Sequence, residues 1–402
     1  MTTWFTVEQA SERLGVKPPT VYAYVTRGLL TRRRTVDGRS LFEASEVERL
    51  ARRGRPRRPG GGPELVIQSA VTKLGEDRQY YRGRDALELA ERCHLEDVAD
   101  WLWTGDEGAL TRPRDDRSWW TASERAVAAG RLAQKGLPDD VLPLERLQVI
   151  TPVLAAYDPL RLAPSDAAVA EIGRSLIAGM IDCLPPHQPA FGPLALRLWL
   201  KLTPRILEPR WTEVLRAAMV LAADHELAAS TLAVRVAASV RADPYAVVSS
   251  GLGTTSGALH GGASLGAEAL LAEIEKPAHA AQVIEQRLRR GERIPGFGHK
   301  VYRAGDGRAN MLFDRIRAAG PKDRRLAVAE AVLAEARRRK LPAMNVDFAL
   351  ATLVNATGMH SGAGEAIFAI SRTVGWLAHA MEEYAKPMRF RLRAVYSGEP
   401  PS

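Results

Sequence analysis

Cysteine is nearly missing from this chain: Cys93 and Cys183 are the only two in 402 residues. They are too few and too far apart in sequence for a disulfide framework or a zinc site, so no metal ligand set is expected and a reducing cytoplasm is the default. Aromatic residues are sparse at 6%. The longest apolar runs, such as 217–223, fall well short of the ~20 residues of a membrane span, so no membrane partner is expected. The N-terminus lacks the charged-then-apolar pattern of a secretion signal. No repeat of fixed period occurs, and period-two alternation is scarce after the first fifty residues.

What is present is an ordinary globular composition, 46% apolar and 26% charged, in a chain long enough for more than one domain. The net charge of +9 is unevenly placed: residues 1–62 hold 13 Lys or Arg against 6 Asp or Glu, so +7 of it lies there. That segment ends in RRGRPRRPGGGP, whose Arg, Gly and Pro content predicts a linker over 53–63. Beyond it, Ala, Leu, Val, Glu and Arg at helical periodicity predict a mainly helical body.

The opening TVEQASERLGVKPPTVYAYVTRGLL predicts two short helices joined by a tight turn. Thr6 is placed to cap the first, Gly15 to end it, and Pro18 and Pro19 to start the second. In the following RRRTVDGRSLFEASEVERL, Asp37-Gly38 predicts a hairpin and Ser45 the cap of a third helix. This segment resembles the winged helix-turn-helix domains of excisionases and mercury-resistance regulators. The resemblance implies double-stranded DNA as a partner. Thr20, Tyr22, Tyr24 and Arg27 would then face bases or phosphates, and Arg32, Arg33, Arg34 and Arg39 the phosphates. Val21, Tyr24, Leu29 and Leu30 read equally as core, and the arginines as a solvated face.

Three later stretches combine His, Arg, Asp and Gly beyond what packing requires. Residues 211–240 are apolar almost all round and predict a buried helix, inside which Asp224, His225 and Glu226 demand partners or a ligand. In GALHGGAS, Gly261 and Gly262 allow close backbone approach and a helix start beside His260, favouring a neutral imidazole. In IPGFGHKVYRAGDGR, Gly296, Gly298, Gly305 and Gly307 bracket His299, with Arg303 and Arg308 nearby, a pattern that suits phosphate or nucleotide binding. Farther on, Asp347 stands among apolar residues in MNVDFALAT, where its carboxyl should titrate high and could serve as a base, and Arg372 and Arg391 follow. Together these residues suit enolisation of one substrate beside a polyanionic acid.

From about residue 64 to the end, the chain resembles the citrate synthase family, in the YRG region near its start and in the order and spacing of these motifs. The resemblance implies a mainly α, two-domain helical fold after the winged helix-turn-helix. Its domains would be 1–52, the linker 53–63, and 64–402, with a large part at 64–261 and 359–402 and a small part at 262–358. It implies condensation of acetyl-CoA, or propionyl-CoA to give 2-methylcitrate, with oxaloacetate and water, the CoA thioester being a substrate and no cofactor being needed. Asp347 would take the methyl proton, His260 would hydrogen-bond the thioester oxygen, and His299 would polarise the oxaloacetate carbonyl. His225, Arg308, Arg372 and, from a partner subunit, Arg391 would bind the carboxylates, making the protein a homodimer. Arg293, Ile294, Pro295, Gly296, Phe297 and Gly298 would touch CoA. Ser264, Gly307 and Leu392 depart from the family's usual Asn, Pro and Pro and put local loop geometry in doubt. A regulator using the synthase body as a metabolite sensor is the alternative; it would need the arginines but not Asp347.

Overall fold

The computed structural model describes residues 4–14, 16–35, 38–47, 50, 67–112, 120–162, 165–188, 190–386 and 390. The chain separates into two compact units, Met1–Gln68 and Ser69–Ser402. The expected linker at 53–63, Gly15, Asp37, Arg391 and Leu392 lie outside the described residues.

In the first unit, helix α1 (Val7–Leu14) and helix α2 (Pro18–Thr26) form the expected pair. Thr6 and Gln9 cap each other: the Gln9 N–H donates to Thr6 Oγ1 at 3.3 Å, and the Thr6 N–H to Gln9 Oε1 at 2.9 Å. Pro18 occupies the first turn of α2, where its missing N–H costs nothing. Strand β2 (Arg32–Arg34) pairs antiparallel with β3 (Ser40–Glu43), with Arg34 opposite Ser40, and Gly38 takes φ +82° in the connection. Strand β1 (Trp4–Thr6) adds to the far side of β3, a third strand with no sequence signal as clear as the hairpin's. One expectation fails locally. Ser45 does not cap the third helix, because residues 44–47 are already helical and its hydroxyl donates to the Glu43 carboxylate at 2.7 Å. Ala10, Val21, Leu30, Phe42 and Val47 form the unit's core.

The second unit is helical around one axis. Helix α8 (Ala363–Tyr384) buries all but one of its 22 residues, so it cannot be amphipathic and is surrounded on every side. Helices Leu95–Thr104, Asp166–Cys183, Pro209–Ala222, Ala229–Ser239 and Pro244–Thr255 pack against it. A small antiparallel sheet, β4 (Thr72–Leu74), β5 (Gln79–Tyr81) and β6 (Arg84–Asp85), turns tightly at Arg82-Gly83, both at positive φ.

The apolar stretch at 211–240, read from sequence as one helix, is two: α3 (Pro209–Ala222) and α4 (Ala229–Ser239). The break falls at Asp224-His225-Glu226. The Asp224 carboxylate accepts the Glu226 N–H at 3.0 Å, and Glu226 adopts φ +53°, a left-handed conformation that a helix cannot continue through. Tyr81 braces the end of α3 by donating its hydroxyl to the Val220 carbonyl at 2.9 Å.

Candidate active site

The break between α3 and α4 turns His225 out of the helical register and toward a second loop. His225 Nε2 lies 3.1 Å from the Tyr302 hydroxyl, and its ring meets His299 edge-on at 5.2 Å between centroids. His299 stacks on Tyr302 at 4.7 Å. The backbone fixes its tautomer: the N–H groups of Val301 and Tyr302 both point at His299 Nδ1, at 3.0 and 3.1 Å. Nδ1 must therefore accept, and in the neutral ring the proton resides on Nε2, a donor aimed away from the loop. Burial pushes His299 and His225 below the usual histidine range, and the Arg308 guanidinium pushes both further.

Arg308 begins helix α6 (Gly307–Ala319), behind helix α5 (Gly262–Glu273) in the chain. Its Nε and Nη2 grip the two oxygens of Asp306 at 2.9 and 2.8 Å, and its guanidinium carbon lies 5.3 Å from the Tyr302 ring centre. Asp306 caps α6 through the Arg308 N–H and also accepts the Val346 N–H at 3.2 Å. Gly307 is held too closely for a side chain. Its N–H donates to the Asp77 carbonyl at 2.6 Å, and a Cβ there would lie 2.7 Å from that oxygen.

Arg372, on α8, donates Nε to the Ala222 carbonyl at 2.8 Å. Its Nη2 is buried with no partner among the described residues, and burial lowers the group to about 10. An orphaned guanidinium nitrogen beside two neutral imidazoles and a second arginine suits an anionic ligand with more than one carboxylate.

The other half of the site is built on α5 and on helix α7 (Val346–Thr357). His260 stands just before α5, as its two following glycines predict. Trp376 Nε1 points at Ser230 Oγ at 3.3 Å, and Ser230 Oγ lies 2.7 Å from His260 Nε2. The serine hydroxyl accepts from the indole and can still either donate to Nε2 or accept from it, so the contact holds the His260 ring in place. Burial, then Arg372, lowers His260 to about 4, so it is a neutral donor at physiological pH.

Asp347 occupies the first turn of α7, and its side chain makes no hydrogen bond among the described residues. It keeps part of its surface accessible while the body of the protein surrounds it, and burial raises its carboxyl to about 7 against the opposing pull of Arg308. Its placement relative to His299 comes from a short zipper. The Gly298 N–H donates to the Ala343 carbonyl, the Asn345 N–H to the Gly296 carbonyl, and Asn345 Nδ2 to the Gly298 carbonyl, at 2.8, 2.9 and 3.0 Å. Gly296, at φ +82°, passes so near Phe348 that a Cβ would lie 2.7 Å from the phenylalanine Cβ.

A pocket of about 480 Å³ opens beside this zipper, lined by Arg293, Ile294, Phe297 and Gly298 together with His299 and Pro342. Pro295 and Gly296, from the same expected stretch, face elsewhere, against Gly266 and Phe348. Sequence reasoning missed Tyr302, Asp306, Ser230 and the buried Glu365. Asp306 carried a usable signal, an Asp-Gly-Arg at a helix start. Ser230 and Tyr302 carried none. Among the described residues no group of three or more His, Cys, Asp or Glu could hold a metal ion. Among them, too, no helix is long and apolar enough to cross a membrane.

In the first unit, Arg27, Arg32, Arg33, Arg34 and Arg39 are exposed, Thr20 is half-buried, and Arg32 lies 6.0 Å from the Tyr22 ring centre. Tyr24 leans on the core, as the packing reading allowed, while Leu29 is 42% exposed and is not core.

Comparison with known proteins matches residues 63–393 to the family described as citrate synthase, C-terminal domain, and residues 4–55 to a helix-turn-helix domain. Citrate synthase 2 of Bacillus subtilis is 36% identical over 368 residues, covering 83% of this chain and 94% of that protein. The 2-methylcitrate synthase of Mycobacterium tuberculosis is 30% identical over 359 residues, covering 83% and 88%. Among solved structures, citrate synthase from Pyrobaculum aerophilum is 25% identical with a TM-score of 0.69, covering 92% of this chain and 95% of that one. The Thermotoga maritima citrate synthase, at 23% identity and a TM-score of 0.68 over 84% and 94%, shares the fold.

Proposed function

The chain belongs to the citrate synthase family and is an enzyme of that type, and on this premise we propose that it condenses acetyl-CoA with oxaloacetate and water to give citrate and free CoA. The observation that carries the reading is the contrast at the centre of the site. Asp347 is a carboxyl that burial raises to about 7, and His260 is a half-buried imidazole lowered to about 4, so a base and a neutral donor are both in place at neutral pH. A thioester methyl is too weak an acid for a carboxylate alone. A donor at the oxygen where charge develops is what makes its ionisation accessible.

In this reading Asp347 takes the methyl proton while His260 stabilises the enolate oxygen. The enolate carbon attacks the oxaloacetate carbonyl, which His299 Nε2–H polarises and then protonates. Water cleaves the resulting thioester and CoA leaves as the thiol. His225, Arg308 and Arg372 hold the oxaloacetate carboxylates, and Arg391 of a second copy completes the site in a homodimer. The pocket along Arg293–Gly298 takes CoA. Closure of 262–358 over 64–261 and 359–402 would exclude water until the carbon–carbon bond exists. The thioester is itself a substrate, so the chemistry needs no further cofactor, and the cytoplasm is its place of action. Propionyl-CoA, which would give 2-methylcitrate, is the second donor; one methylene separates the two by only about 1–3 kcal/mol.

Release of CoA thiol from either donor tests the reading. It should require oxaloacetate and vanish in Asp347→Ala; no turnover with either donor would defeat it. The first unit we assign to double-stranded DNA, supported by the helix-turn-helix match and the exposed arginines of β2. Gel-shift titration should show tighter binding to some genomic fragments than to random duplex, weakening with salt. Equal binding to every duplex would remove the assignment.

A further inference from the structure

The turn that carries His225 is held from behind by side chains that touch neither of the proposed substrates. Asp224 is fully buried at the end of α3. One of its oxygens, Oδ2, accepts the Glu226 N–H at 3.0 Å and faces His379 Nε2 at 3.3 Å. His379, also fully buried, belongs to α8 and presents its other nitrogen, Nδ1, to Arg235 Nη1 at 2.7 Å. Ser69 Oγ lies 3.4 Å from the same nitrogen. Arg235, on α4, is anchored in turn by Glu382 at 2.6 Å and by Glu383.

The chemistry of these groups leaves one arrangement. An arginine only donates, so His379 Nδ1 accepts, and the ring's single proton stands on Nε2 and points at Asp224. The neutral histidine thus connects a cation on one side to an anion on the other without carrying charge itself. At Asp224, burial alone would raise the carboxyl; the hydrogen bond from His379, the charge of Arg372 and a hydrogen bond from Thr72 pull it the other way. The ionised Oδ2 is the acceptor that holds Glu226 at φ +53°, a conformation that a non-glycine residue keeps only under such constraint. The opposite face of Asp224 fits against Gly375, where a Cβ would lie 2.2 Å from Oδ1, so the carboxylate cannot shift sideways.

We propose that His379 is a positioning residue: held between Arg235 and Asp224, it fixes the 224–226 turn and so aims His225 at the oxaloacetate carboxylate. The inference rests on the reading of His225 as an oxaloacetate ligand.

Calorimetric titration of oxaloacetate into the full-length protein tests it, with steady-state kinetics alongside. His379→Leu should weaken oxaloacetate binding about tenfold, the loss of a hydrogen bond to a charged group, and raise the oxaloacetate KM similarly while the acyl-CoA KM stays within about twofold. His379→Gln keeps an acceptor for Arg235 and a donor for Asp224, and should restore affinity to within about twofold of the unmodified protein. Unchanged binding in His379→Leu overturns the proposal. So does a glutamine variant as weak as the leucine one, because the effect would then be core packing. Nitrogen NMR of the unmodified protein reads the relay directly: His379 should show one protonated nitrogen, Nε2, and a ring protonated on Nδ1 overturns the proposal even if the leucine variant fails to fold. Absence of oxaloacetate binding by the unmodified protein would remove the functional reading instead, leaving the ring state to judge the relay.

Discussion

Each half of the site holds an aspartate at the start of a helix, the buried Asp306 before α6 and the half-buried Asp347 in the first turn of α7. Burial pushes both carboxyls up. At Asp306 the bidentate grip of Arg308 outweighs burial and holds the group below the usual carboxylate range. At Asp347 the same arginine is only a distant charge, no hydrogen bond compensates, and the carboxyl rises to about 7. Two residues of one type, on similar helix starts, therefore do opposite work. Asp306 is held as an anion that orients an arginine, and Asp347, its carboxyl raised to about 7, is the group proposed as the base. A partner at hydrogen-bonding distance, more than burial, decides which role an aspartate takes.

Exchanging each for asparagine is the sharpest way to test that contrast. Asp347→Asn should cut kcat by roughly 10²–10⁴, the range of a lost general base, with little change in oxaloacetate affinity. Loss of less than tenfold would break the assignment. Asp306→Asn should destabilise the fold by about 3–5 kcal/mol in denaturant unfolding, because it strands a buried guanidinium.

The stability of the Asp347 variant should move the other way. A carboxyl whose folded pKa lies above its unfolded value contributes full stability below the unfolded value, near 3.8, and loses it as pH rises through the folded one, near 7. Asp347→Asn should therefore melt with the unmodified protein near pH 4 and a few degrees higher at pH 8. Equal melting at both pH values would mean that the carboxyl is not raised. The smallest effect is kinetic: kcat/KM should rise with pH through about 7 as Asp347 ionises. His260, lowered to about 4, should add no limb in that range. A limb near 4 with none near 7 would mean that Asp347 is not the base.

Much of this was legible from sequence because local rules apply where neighbours in the chain meet. Thr6 and Gln9 cap α1, Pro18 opens α2, Gly38 turns the wing, and the glycines after His260 admit α5. The errors arose where a distant group decided the outcome. Apolar composition ran α3 and α4 into one helix, because nothing in the local sequence shows that Asp224 is tied to His379 across 155 residues. The Ser45 miss was local instead: its hydroxyl went to the Glu43 carboxylate, two residues away. Leu29, apolar and periodic, stays exposed.

The sequence by itself determined the chemical inventory: the histidines, arginines and lone aspartate, the glycines that let loops pass close, and the basic first unit. Those are properties of residue type and short spacing. Tertiary structure alone decided protonation and aim: which nitrogen of His299 carries the proton, why Asp306 is held charged while Asp347 is not, and where His225 points. Each of these depends on donors, acceptors and burial supplied by segments far away in the chain, and a hydrogen bond's direction is fixed only when both partners are in place.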